Sequence, residues 1–162
     1  MSTTRDGSSR TASPSTTRDL RSFDESLPMA LMRAREAVMR RFRPILAEHE
    51  LTEQQWRVLR ALDDVDDSIT VGELAERTFL LGPSLSRMLV TLEERGLIAR
   101  AADRGDARRS KTEITPTGRR LVATIAPRSE IVYDEISAQL GHHDLEQLYD
   151  LLRRTAAVTD QP

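Results

Sequence analysis

The sequence predicts a mainly α-helical fold carrying one small β-hairpin, and three observations predict it. Aromatic residues make up only 4% of a 162-residue chain that is 38% hydrophobic, so its core must be built from Leu, Ile, Val, Ala and Met. Apolar residues recur at spacings of three and four through most of residues 27–157. The exception is residues 97–114, where two short extended segments flank a charged, glycine-containing turn.

The chain length suits one domain. Residues 1–26, rich in Ser, Thr, Arg, Asp and Gly, lack the apolar side chains that offset the entropy of ordering and are expected to form a disordered tail. Its arginines (Arg5, Arg10, Arg18, Arg21) are expected to be solvated. The folded domain is expected over 27–158.

The first helix is expected at 27–49, with Leu27, Leu31, Ala34, Val38, Phe42, Ile45 and His49 on one stripe and Pro44 as an interruption. Thr52 and Gln55 have the spacing of a capping box and open a second helix with Trp56, Leu59 and Leu62 inward, ended by the acidic patch Asp63, Asp64, Asp66 and Asp67. Thr70 and Glu73 repeat the box and open a short helix with Leu74, Ala75 and Thr78. After Phe79, Leu80 and Leu81, Gly82 and Pro83 suit the cap and first position of a helix. There Leu85, Leu89 and Leu92 are expected inward, Ser84, Arg87, Met88 and Thr91 outward, and Gly96 is the stop. A hairpin pairing 97–101 with 111–114 follows, then a long helix to about residue 140 with Pro127 as a possible bend. A last helix at 142–157 points Leu145, Leu148, Leu151 and Leu152 inward, with Asp144 as its cap.

This order spells a winged helix-turn-helix between flanking helices: a lobe at about 52–115, and dimerisation helices at about 27–49 and 116–158. Such a lobe meets double-stranded DNA with a helix buried on one side and polar or cationic on the other. Pro83, Ser84, Ser86, Arg87 and Thr91 supply the polar side, Arg87 having the fork that bonds guanine, and the free amides beside Gly82 suit a phosphate. In the wing, residues 103–109, Asp106 can brace Arg108 for a narrow minor groove while Arg104 and Arg109 lie over phosphates. Net charge is only −2, but residues 100–120 carry seven bases against three acids. Two terminal helices with apolar faces exceed what one small lobe can cover, which points to a homodimer.

Several function classes fall away. The chain has no cysteine, hence no disulfide, thiolate metal site or thiol nucleophile. No Gly-rich phosphate loop, nucleophile motif or paired carboxylates with a His stand out, so neither catalytic residues nor a cofactor are expected and the chain is not read as an enzyme. Three His make a weak zinc case, because the adjacent His142 and His143 point apart on a helix, and no metal is expected. No apolar run nears the roughly 20 residues of a membrane span and no signal peptide opens the chain, so a cytoplasmic protein without membrane contact is expected.

The sequence resembles the MarR family of bacterial transcriptional regulators over about residues 27–157. The carriers are Leu51-Thr52-Glu53-Gln54-Gln55-Trp56, Leu74-Ala75-Glu76-Arg77, Leu89-Val90-Thr91-Leu92-Glu93-Glu94-Arg95-Gly96-Leu97-Ile98, the wing and Thr115-Pro116-Thr117-Gly118. The family's Asp-x-Arg wing pattern falls on Asp106 and Arg108, with Gly105 a departure beside them. More narrowly, Ala34-Arg35-Glu36-Ala37, Phe42-Arg43-Pro44 and residues 52–57 resemble the branch that represses homoprotocatechuate breakdown. The resemblance implies a homodimeric repressor on an inverted-repeat operator, released by a small aromatic carboxylate. It implies an effector site near Arg35, Trp56, Arg57 and Arg60, with an ion pair across the dimer as the equal alternative for Arg35 and a core position as the favoured one for Trp56. A MarR-type regulator answering an antibiotic or a lipid, or answering no ligand, stays open beside this reading.

Overall fold

The computed structural model describes residues 22–102 and 110–158. They form α1 (Leu27–Ala47), α2 (Glu53–Asp63), β1 (Ile69–Thr70), α3 (Val71–Thr78), α4 (Gly82–Glu94), β2 (Ile98–Ala102), β3 (Ser110–Ile114), α5 (Pro116–Leu140) and α6 (His142–Ala156). Two compact units divide the chain, one ending at Arg35 within α1 and the other running from Glu36 onward.

In the first unit, Ser22 caps a single 3-10 turn, Phe23–Glu25, and Arg33 donates to the Asp24 carboxylate at 2.7 Å. Leu27, Leu31 and Ala34, expected on a buried stripe, are exposed there.

The second unit holds the core. Both capping boxes form as expected: Gln55 N–H donates to the Thr52 hydroxyl and Thr52 N–H to the Gln55 side chain, and Thr70 and Glu73 repeat the exchange. Each cap is worth about 1 kcal/mol. Val58, Leu59 and Leu62 of α2, Leu74 of α3 and Leu85, Leu89 and Leu92 of α4 pack with Ile98, Ile114 and Ile125 into one buried cluster. Full burial of each such side chain contributes roughly 1.5–3 kcal/mol.

The hairpin is antiparallel, with Ile98 opposite Ile114 and Ala102 opposite Ser110. A third strand lies outside the sequence expectation: β1 pairs Ile69 with Thr112 and Thr70 with Lys111, giving the order β1-β3-β2. Thr70 ends this strand and caps α3 with the same residue. The hairpin base is locked to α5 where Thr115 Oγ1 donates to the Gly96 carbonyl at 2.7 Å and accepts from Gly118 N–H. A Cβ on Gly118 would stand 2.2 Å from the Leu97 carbonyl oxygen, so only glycine permits this approach. Gly96, at φ +67°, ends α4 as expected.

Four local expectations are corrected. The N-cap of α4 is Leu81, which shifts Gly82 and Pro83 one position into the helix. Met88, expected outward, is half-buried against the core. Gly141 caps α6 with no side-chain bond, so Asp144 is not the cap. Leu148, Leu151 and Leu152, expected inward, are 42%, 55% and 37% exposed, because no other described element packs over that face of α6.

Candidate nucleic-acid interface

The α4 stripe that buries Leu85, Leu89 and Leu92 leaves Pro83, Ser84, Ser86, Arg87 and Thr91 exposed on the other side. Ser84, Arg87 and Thr91 follow at intervals of three and four and therefore share one face. The Arg87 guanidinium makes no hydrogen bond or ion pair with another described residue. Thr91 turns its hydroxyl back to the Arg87 carbonyl at a weak 3.4 Å. No side chain caps the helix, so the first-turn amides of Gly82 and Ser84 stay open at its positive end.

This face is held rigidly. The Arg57 guanidinium donates to the Thr78 carbonyl at 2.9 Å, closing the end of α3, and the Thr78 hydroxyl donates to the Leu74 carbonyl at 2.6 Å. Phe79 then turns the chain in the left-handed conformation, φ 53°, which costs a non-glycine residue about 1 kcal/mol. At the far end, Arg95 donates to the carbonyls of Glu50 and His49 at 2.8 and 3.0 Å. Glu93 accepts from Arg100 of β2 at 2.6 Å, tying α4 to the wing, and that bond holds the Glu93 carboxyl below the usual carboxylate range. Arg43 bridges Glu36 and Glu53 at 2.6 and 2.5 Å, and these bonds raise its already high pKa further.

The wing residues Arg104, Asp106, Arg108 and Arg109 lie outside the described residues; β2 and β3, which flank them in sequence, pair in a fixed register. The basic excess at 100–120 is smaller than its count. Arg100 is spent on Glu93 and Arg119 approaches Asp63 at 3.3 Å, so two of these seven cations are engaged within the chain.

Of the four side chains expected around an effector, α2 carries three. Trp56 is half-buried against the core, as its place in an amphipathic helix favoured. Arg57 is turned to Thr78. Arg60 is exposed and lies 3.4 Å from Asp63. Arg35 is exposed on α1 in the first unit. Tyr133 of α5 was not legible in the sequence. It stacks tilted on Phe42 with ring centroids 5.0 Å apart. Burial pushes its phenol up, and the Arg60 charge acts weakly in the opposite sense. Among the described residues no group of three His, Asp or Glu could hold a metal ion, and no helix is long and apolar enough to cross a membrane.

Residues 49–109 match the family model described as the MarR family. The chain is 38% identical over 134 residues to the homoprotocatechuate degradative operon repressor of Escherichia coli, covering 83% of this chain and 90% of the repressor. It is 36% identical over 135 residues to the HTH-type transcriptional regulator FarR of Neisseria gonorrhoeae, covering 83% and 92%. The crystal structure of NadR in complex with 4-hydroxyphenylacetate superposes with a TM-score of 0.74 at 35% identity, over 86% of this chain and 99% of that one.

Proposed function

Because the chain belongs to the MarR family of transcriptional regulators, we propose that it is a cytoplasmic, homodimeric repressor that leaves an inverted-repeat operator when a small aromatic acid binds, and that it controls genes of aromatic catabolism. One observation carries the DNA reading: the rigidly braced α4, buried through its leucines and exposed through Ser84, Arg87 and Thr91. In this reading Arg87 bonds a guanine edge, Pro83 and Ser84 set the helix end against a phosphate, Ser86 and Thr91 flank them, and Asp106 braces Arg108 in the minor groove. Arg104 and Arg109 lie over the adjoining phosphates.

A second copy covers the apolar faces that each unit by itself leaves open: Leu27, Leu31 and Met32 in the first, Leu148, Leu151 and Leu152 in the second. Two-fold symmetry then sets two α4 helices about one DNA turn apart, which requires an inverted repeat. No enzymatic step is needed for this cycle.

The effector reading rests on Trp56, Arg60 and Tyr133. An aromatic acid needs an apolar wall and a cation, and Arg60 holds Asp63 only loosely, so a carboxylate ligand can compete for it. The relative whose structure contains 4-hydroxyphenylacetate and the relative named for homoprotocatechuate degradation favour this chemistry over an antibiotic or a lipid.

The test is a titration of the protein on its own upstream DNA with 4-hydroxyphenylacetate, homoprotocatechuate and protocatechuate. Release by at least one of them is expected, and Arg60→Ala should lose the response without losing DNA binding. No response to any of the three overturns the aromatic-acid reading, and Arg108→Ala with unchanged affinity removes the wing.

A further inference from the structure

The polar face of α4 ends abruptly at an apolar one. Phe79 is 90% and Leu81 78% exposed, while Leu80 between them is buried. Together with Ala75 and Glu76 they line an open surface depression at the α3–α4 turn. The backbone beneath is fixed rather than loose. Phe79 N–H donates to the carbonyls of Ala75 and Glu76, Leu80 N–H returns to the Ala75 carbonyl at 3.3 Å, and Arg57 holds the Thr78 carbonyl. Two large apolar side chains are thus displayed on a rigid turn.

Within the chain alone Phe79 is unfavourable twice over. Its left-handed backbone suits glycine or asparagine, and its ring gains nothing from burial. A binding partner removes the second penalty. Leu81 is the N-cap residue of α4, so the patch is continuous with the open amides and with Pro83 and Ser84. At no more than about 3.6 Å per residue, Phe79 begins within roughly 11 Å of the first helical residue.

Resting on the reading of α4 as the DNA-contacting helix, we propose that Phe79 and Leu81 make an apolar contact to DNA beside it, packing on thymine methyl groups and deoxyribose edges. The thymine methyl is the apolar group that the major groove presents, so such a contact selects sequence. Charge does not supply the attraction: Glu76 lines the depression and repels phosphate, so the contact rests on the apolar atoms and on the place of the patch next to the start of α4. A second copy of the chain has its own larger apolar face, on α6, to occupy.

The experiment uses the full chain and a duplex it selects from a randomised library. Phe79→Asn relieves the backbone, so its thermal midpoint should equal or exceed that of the parent, while its affinity for the duplex falls about tenfold. The salt dependence should stay the same, because no phosphate contact is removed. Replacing thymines one by one with deoxyuridine should weaken binding of the parent at a position where Phe79→Asn shows no further loss. If Phe79→Asn binds as tightly as the parent while Arg87→Ala binds more weakly, the apolar contact is overturned and the reading of α4 survives. If both bind as the parent does, the reading of α4 falls and this inference with it. A change in oligomeric mass on Phe79→Asn assigns the patch to a contact between copies and overturns the inference as well.

Discussion

Helices α4 and α6 have similar amphipathic sequences and opposite fates. In α4 the leucines at 85, 89 and 92 are fully buried, and the exposed side carries Ser84, Ser86, Arg87 and Thr91. In α6 no residue is buried, and Leu151 is 55% exposed. The difference lies in what surrounds them. Around α4 stand α2, α3 and the sheet, braced by Arg57, Arg95 and the Glu93–Arg100 pair; among the described residues α6 packs chiefly against α5. A leucine stripe therefore announces that a face will be covered without saying by what. The chain itself covers the leucine stripe of α4, whereas it leaves the apolar face of α6 open.

The largest expected effect comes from breaking the covered stripe. Leu89→Ala should cost about 2–5 kcal/mol of folding stability, measured by urea unfolding, because a fully buried side chain leaves a cavity. Arg87→Ala on the opposite side of the same helix should leave the unfolding curve within about 0.5 kcal/mol. It should still weaken operator binding by about 1–3 kcal/mol in a titration. A comparable loss of stability would show that the face is structural.

The helix ends sharpen the same contrast. Thr70→Ala removes the capping box of α3 and should cost about 1 kcal/mol; α6 has no side-chain cap to lose. Leu151→Glu should alter folding of the single chain by no more than about 0.5 kcal/mol while shifting the sedimentation mass from two copies to one. Unchanged mass would place the dimer contact elsewhere.

The smallest effect is that of pH on the tie between α4 and the wing. The folded-state pKa of Glu93 is lowered by Arg100. Its contribution is therefore present above the ordinary glutamate range and is lost as pH falls through the folded value. Glu93→Gln should consequently flatten the acid limb of the stability profile as pH falls below the ordinary glutamate value of about 4.3, and change little near pH 7.

Much of this was legible in the chain because the signals are local. Both capping boxes, the α4 stripe and the Gly96 stop act within four residues, and periodicity reads that range. The misses are long-range. Strand β1 is two residues long and exists through pairing with residues about forty positions later. Met88 is drawn inward by neighbours from other elements. Tyr133 meets Phe42 across some ninety residues, and the bond from Arg57 to a carbonyl 21 residues away is of the same long-range kind.

The sequence by itself determined the six helices, the hairpin and their order, because caps, glycines and apolar spacing are properties of neighbouring residues. Tertiary structure alone decided which apolar faces the chain covers, which arginines are spent on internal partners and that Phe79 stands exposed in a fixed turn. Burial and pairing depend on groups that sequence distance does not bring together and packing does.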